Sequence, residues 1–213
     1  MSCRQKTGWI IEVPRLPNID NVRYNPAWHM RQTEHKTSLE VIGIDTEAYT
    51  SGECFMICTS LGDTFQPYEF PACLFSRKYR GKNFVAYNLK YDSGALLQHL
   101  SIVDLKKLQT TDTVTIDKYK YTSIGYKCLS IRKGKNTLHI YDMLNFYQMS
   151  LNKAAAKFLD KSKLDIDTKL FTIAYVKKHW KRISKYCVHD AVLVKLLADR
   201  LISMFEGCRL RFP

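Results

Sequence analysis

Long apolar runs are missing from this chain. No stretch approaches the length of a bilayer span, and the N-terminal M-S-C-R-Q-K-T-G-W carries no signal-peptide hydrophobic region. A membrane protein or membrane partner is therefore not expected. Also missing is any C-x-x-C pair among the seven cysteines (3, 54, 58, 73, 128, 187 and 208). Cys54 and Cys58 fall in an apolar stretch of strand character, so they read as reduced core thiols in a reducing, intracellular compartment. There is no internal repeat, no low-complexity tract and no interdomain linker, and 213 residues suffice for one domain with a proper core. Acidic residues are scarce: 20 Asp and Glu face 33 Lys and Arg, for a formal charge of +13. Such a surplus suits a polyanionic partner, although charge alone does not choose between nucleic acid, anionic lipid and simple solubility.

The placement of the charge is more informative. Residues 150–213 hold 14 basic against 6 acidic side chains, and K-K-H-W-K-R-I-S-K (177–185) runs directly into Tyr186. R-K-Y-R-G-K (77–82) precedes a second window around Asp92. The stretch from Lys118 to Lys135 interleaves basic residues with Tyr119, Tyr121 and Tyr126. Any one run reads as a solvated basic face. Three runs beside acidic windows favour single-stranded nucleic acid, whose bases stack on aromatic rings while its phosphates are neutralised.

The first 38 residues, rich in Pro, Asn and polar groups, read as an irregular arm with one short strand near Trp9–Val13. Residues 39–213 read as a single domain. L-E-V-I-G-I-D-T-E (39–47) has the β-branched character of a buried central strand, and C-F-M-I-C-T-S (54–60) completes a hairpin with it. N-F-V-A-Y-N (83–88) is a third strand, and 92–100 has helical spacing. Residues 112–142 are β-rich. From Ser150 the pattern turns helical, and Leu193, Leu196, Leu197 and Leu201 mark one apolar stripe on the last helix. Strands first and helices later predict an α/β fold, with a mixed central sheet flanked by helices.

Four carboxylates stand out in this frame: Asp45 and Glu47 on the first strand, Asp92 in N-L-K-Y-D, and Asp190 in Y-C-V-H-D. Alternate strand residues point the same way, so Asp45 and Glu47 share a face. Tyr186 and Asp190 sit one helical turn apart. Converging carboxylates repel one another unless cations lie between them, an arrangement suited to metal-assisted cleavage of a phosphodiester. Each has a plainer reading as well. A D-x-E tripeptide arises by chance, Asp92 would serve as a helix N-cap, and Asp190 would pair with a surface lysine. The apolar neighbours of Asp190 favour a ligand role, because an unpaired buried acid is costly.

In order and spacing these windows resemble the three exonuclease motifs of the DEDD superfamily. Its tyrosine-type branch has D-x-E, N-x-x-[FY]-D and Y-x-x-x-D, matched here by Asp45-Thr46-Glu47, Asn88-Leu89-Lys90-Tyr91-Asp92 and Tyr186-Cys187-Val188-His189-Asp190. The histidine-type branch needs His at 185, where this chain has Lys185, and His189 has the wrong spacing. The nearest likeness is to the proofreading domain of protein-primed family B DNA polymerases, which also carries a K-x-D-I-D-Y-like segment, here Lys163 to Thr168. The resemblance covers roughly residues 39–206.

It implies a ribonuclease H-like exonuclease fold and two divalent cations, Mg²⁺ or Mn²⁺. Asp45, Glu47 and Asp190 would hold the first ion, and Asp45 with Asp92 the second. Tyr186 would orient the attacking water and Lys163 would steady the scissile phosphate. Thr46, Asn88, Tyr91, Ser150 and Leu151 would touch the strand. The activity implied is 3′–5′ cleavage of single-stranded DNA, either free-standing or as the proofreading part of a polymerase, with a polymerase or other replication protein as a further partner. Ala48 and Thr168 depart from the family's usual Thr and Tyr, and both changes concern grip on the strand. An exoribonuclease is the alternative within enzymes, since tyrosine-type sites also trim RNA. Another is a nucleic-acid-binding module on the same fold with catalysis lost.

Overall fold

A computed structural model of the chain describes residues 40–208; the expected N-terminal arm and its short strand lie outside the described residues. Strand β1 (Val41–Ala48) is the β-branched run read from the sequence. It is followed by β2 (Cys54–Thr59), a short β3 (Thr64–Phe65) and β4 (Asn83–Ala86). Helices α1 (Leu89–Leu96) and α2 (Ile102–Thr111) precede a four-strand meander: β5 (Thr113–Ile116), β6 (Tyr119–Ile124), β7 (Cys128–Lys133) and β8 (Asn136–Asp142). Three helices close the described chain: α3 (Leu144–Tyr147), α4 (Leu151–Leu159) and the 35-residue α5 (Ile173–Gly207).

Among the described residues the strands form one sheet of order β3-β2-β1-β4-β8-β7-β6-β5. β1 pairs antiparallel with β2 but parallel with β4, and β4 pairs parallel with β8. This mixed sheet with helices on both faces is the α/β architecture expected. The antiparallel ribbon β1–β3, followed by β4 and β8 parallel to β1, gives the ribonuclease H-like order β3-β2-β1-β4-β8. The chain leaves β1 towards β2 on one side while β4 lies on the other, so the carboxyl ends of β1 and β4 border a crevice of the kind that open α/β sheets use for ligands.

Alternation along β1 divides the core. Ile42 and Ile44 join Leu89, Ala95 and Leu96 of α1 on one face. Val41 packs with Leu193, Val194 and Leu197 of α5 on the other. Gly43 also points at α5: a Cβ there would lie 1.9 Å from the carbonyl oxygen of Ala191 and 3.1 Å from the amide nitrogen of Lys195. The missing side chain lets α5 lie directly on β1. The leucine stripe supplies Leu193 and Leu197 fully buried, in keeping with its helical spacing. α5 runs antiparallel to β1, so its first half extends past the carboxyl end of the strand. A non-helical residue, His179 (φ −113°, ψ 19°), kinks it there.

Two elements differ from the sequence reading. The helix expected over 92–100 begins at Leu89, because Asn88 turns the chain in a left-handed conformation (φ 70°, ψ 59°). The N-cap reading of Asp92 is therefore corrected: Asp92 lies within the first turn of α1. Helix α2, capped by the Ser101 hydroxyl accepting from Asp104 N, is additional. No helix among the described residues is long and apolar enough to cross a membrane.

Candidate active site

Three elements deliver the four carboxylates to one place. On β1, Asp45 and Glu47 face α5, and their carboxylate oxygens lie within 4.8 Å of each other and of Cys187 Sγ. Thr46, between them, points to the opposite face, where its hydroxyl donates to Asp92 Oδ1 at 2.7 Å. A register shift between Glu47 and Ala48 ends regular pairing with β2 just past the acids. Asp190 comes from α5, immediately before Ala191, whose carbonyl faces Gly43. Glu47, Asp92 and Asp190 are buried, the last two at 2% and 1% exposure.

Burial and mutual repulsion act together here. The Asp45 carboxyl is pushed well above its ordinary range, first by desolvation and then by the charges of Asp92, Glu47 and Asp190. Desolvation, followed by the Asp190 charge, raises Glu47 to about 8. Asp92 rises to about 7, chiefly by burial, against the lowering effect of the Thr46 hydrogen bond. Asp190 is also raised by desolvation, with Lys163 opposing. The Lys163 ammonium lies 2.5 Å from Asp190 Oδ2 and 5.0 Å from the centre of the Tyr186 ring. It lowers all four acids, so it acts as a local counter-cation. The loop that carries it is tied down by Lys163 N donating to Asn152 Oδ1 at 3.0 Å and by His189 Nε2 against Ser162 O at 2.9 Å. One ammonium does not satisfy the cluster: Asp190 Oδ1 is buried with no hydrogen-bond partner among the described residues.

These features fit a divalent cation. The donors are hard carboxylate oxygens, they repel one another, and one is orphaned in a buried position where a ligand bond would replace the lost hydration. Cys187 Sγ completes, with Asp45 and Glu47, a group of three donors close enough to hold one ion. Its thiol is pushed far above the ordinary range by burial and donates to the Asp45 carbonyl at 3.7 Å.

Tyr186 is buried, and desolvation raises its phenol, so the hydroxyl keeps its proton. Asn88 is exposed, while the Tyr91 ring is 54% exposed. Both line a cavity of about 580 Å³ with Ala48, Lys90 and Gln98, beside the acidic cluster. Thr46 is buried with its hydroxyl committed to Asp92. Ser150 caps α4 by accepting from Lys153 N, and Leu151 is buried in the core. Thr168 lies in a 3₁₀ turn and is exposed.

Of the three basic runs, only the 177–185 segment sits whole at this end of the sheet, with Lys177, Lys178, Lys181, Arg182 and Lys185 exposed. The 77–82 run enters the amino end of β4, opposite the site, and its Lys78 and Lys82 are paired with Asp63 and Glu40. Nearness to Asp92 in sequence does not survive the length of a strand. The stacking role expected of Tyr119 and Tyr121 is likewise corrected. Strand alternation turns both rings into the core, at 8% and 1% exposure, and leaves Tyr126 as the open ring of that stretch.

Sequence reasoning missed Asp142, a further buried acid at the end of β8. It accepts from Asn88 N at 2.9 Å, Leu144 N at 3.0 Å and Asn145 Nδ2 at 3.0 Å, and so holds the left-handed turn that starts α1. Its signal is a lone acid closing T-L-H-I-Y-D, which is weak because the partner that matters for the site, Asn88 N, is distant in sequence.

No family model and no curated protein sequence matches the chain. Among solved structures, the chain is similar to Phi29 DNA polymerase complexed with single-stranded DNA, at 17% identity and a TM-score of 0.48 over 79% of this chain and 32% of that one. It is similarly related to the same polymerase with primer-template DNA, at 17% identity and a TM-score of 0.49 over 79% and 31%. The chain thus spans about a third of those polymerases. At this identity and TM-score the likeness decides nothing about activity, and the functional reading rests on the side chains.

Proposed function

We propose that the chain is a divalent-metal-dependent 3′–5′ exonuclease acting on single-stranded DNA, free-standing or as the proofreading part of a longer polymerase. The observation that carries this reading is the convergence of Asp45, Glu47, Asp92 and Asp190 from β1, α1 and α5 on one buried cluster with an orphaned oxygen. Strand polarity and sugar rest on the motif resemblance.

Asp45, Glu47 and Asp190 would hold one cation, and Asp45 with Asp92 a second. When bound, such ions lower the pKa of water and neutralise charge developing on the phosphate. The remaining work falls to the chain. Tyr186, held protonated by burial, donates to the attacking water and fixes its line of approach. Lys163, held charged by Asp190, offers an ammonium to a non-bridging phosphate oxygen. Asn88 and the exposed Tyr91 ring grip the terminal nucleotides in the cavity beside the acids. The exposed lysines of α5 face the rest of the polyanion.

The test is a 5′-labelled single strand incubated with the protein and Mg²⁺ or Mn²⁺, beside Asp45→Ala, with DNA and RNA run in parallel. A ladder shortening from the 3′ end of DNA, absent in the variant, is the expected result. An intact strand that is still bound would replace the enzyme with a binding module. Faster trimming of RNA would replace the DNA assignment with an exoribonuclease.

A further inference from the structure

A second cavity, of about 480 Å³, opens between α1, α2 and the turn that joins β6 to β7. Lys90 and Gly94 border both it and the cavity beside the acids, so the two form one groove along the exposed side of α1. The floor of the second cavity is apolar, with Leu97, Leu105 and Leu108. Its wall carries the Tyr126 ring, 46% exposed, with the Lys90 ammonium 5.9 Å from the ring centre. Gln109, Asp112 and Ser123 place an amide, a carboxylate and a hydroxyl around the rim.

The backbone holds this turn in an unusual state. Gly125 (φ 49°) is followed by Tyr126 (φ 57°), a bulky residue in the left-handed region where Asn or Gly sits more easily. Its place at the tip of the hairpin turn, rather than on a strand, keeps the ring out of the core, unlike Tyr119 and Tyr121 on the same hairpin. Gly94 is a second oddity. It costs helix propensity inside α1, yet a Cβ there would meet nothing within 4 Å. Packing does not require it, and it lies where the two cavities join.

We infer that this second cavity binds an unstacked base of the substrate strand, a few nucleotides upstream of the end held at the acidic cluster. An apolar floor, an aromatic wall and hydrogen-bonding groups in the lining match a nucleobase. Lys90, at the junction, matches the phosphate that links it to the terminal nucleotides. The Asp112 carboxylate disfavours a phosphate in the cavity itself and accepts from base amino or imino groups. The inference rests on the nuclease reading for its direction, and it adds a length dependence that the acidic cluster alone does not give.

The experiment compares the parent chain, Tyr126→Asn, which suits the left-handed turn while removing the ring, and Tyr126→Phe, which keeps it. For each, kcat/KM is measured on a 15-mer single-stranded DNA and on a dinucleotide. Loss of one stacked base lowers the ratio of the two values about tenfold in Tyr126→Asn, and Tyr126→Phe restores it. An unchanged ratio in Tyr126→Asn, with the parent active, overturns the inference and leaves the nuclease reading standing. If the parent cleaves neither substrate, the nuclease reading fails, and fluorescence anisotropy of the same 15-mer decides the cavity. A Kd about tenfold weaker in Tyr126→Asn supports it; equal Kd values, or no binding by the parent, overturn it.

Discussion

Without a cation, the acidic cluster should make the protein less stable as pH rises. Glu47, ordinarily near 4.5, is raised to about 8 in the fold, and Asp92, ordinarily near 3.8, to about 7. A carboxyl with a raised folded pKa binds its proton more tightly folded than unfolded. From about pH 4 to 8 the native state therefore holds more protons, and by linkage stability falls with pH across that window. At 1.36 kcal/mol per unit, a shift of roughly three units is about 4 kcal/mol for one acid. The Asp92 charge contributes to the Glu47 shift, so the two do not add in full, and about 4 kcal/mol serves as a lower bound for the pair. For a chain of this size that is a fall in Tm of about 10 °C between pH 5 and pH 8.5 in EDTA. Mn²⁺ or Mg²⁺ should remove most of the fall, because a cation replaces the protons. The assay is a calorimetric pH series with and without metal, run beside Asp92→Asn. That variant should show a flatter profile in EDTA and a higher Tm at pH 8. Elsewhere, ionising acids relieve the +13 surplus and give the opposite slope, and comparing variant with parent cancels that background. Parallel profiles for parent and Asp92→Asn in EDTA would refute the reasoning.

Three further outcomes follow from the same geometry. In Gly43→Ala the new Cβ must clear a carbonyl oxygen 1.9 Å away, forcing α5 back by about 1.5 Å; cleavage should fall at least about a hundredfold with far-UV circular dichroism near that of the parent, and an unchanged rate would refute the role of this contact. Tyr186→Phe should lower kcat by about tenfold or more while leaving the metal-induced rise in Tm intact, as read from single-turnover rates and calorimetry. Thr46→Val removes the 2.7 Å hydrogen bond to Asp92 and should cost about 1–3 kcal/mol in urea unfolding, more at pH 8 than at pH 5 because the bond is strongest to the ionised acid.

Local patterns were readable where they reflected a face or a run. The β-branched stretch of β1 and the leucines of α5 announced their elements because each buries a continuous surface. The start of α1 was misjudged by three residues: Asn88 adopts its left-handed turn under the hold of Asp142, which comes from the far end of another strand. α2 escaped notice because Ile102 and Val103 are exposed and spoil the amphipathic pattern. Tyr119 and Tyr121 misled because basic neighbours suggested an open surface, whereas strand alternation alone decides which ring faces outwards. The four acids could be named from sequence, yet the reason they meet could not be. For Asp190 that reason is Gly43, whose value appears only when a helix arriving some 150 residues later is laid on it.

The Lys163 ammonium has an electrical consequence for the order of assembly. In the proposed loaded state two dications offset the four carboxylates, and the cluster is left with Lys163 as its surplus positive charge. A phosphodiester carries one negative charge and closes that balance. With Asp142 set apart among its three N–H donors, the charge of the four-acid cluster is then balanced with the substrate in place, so ion occupancy and strand occupancy should reinforce each other. The same lysine that shields the acids in the empty crevice becomes, once the ions arrive, the charge that calls for the strand.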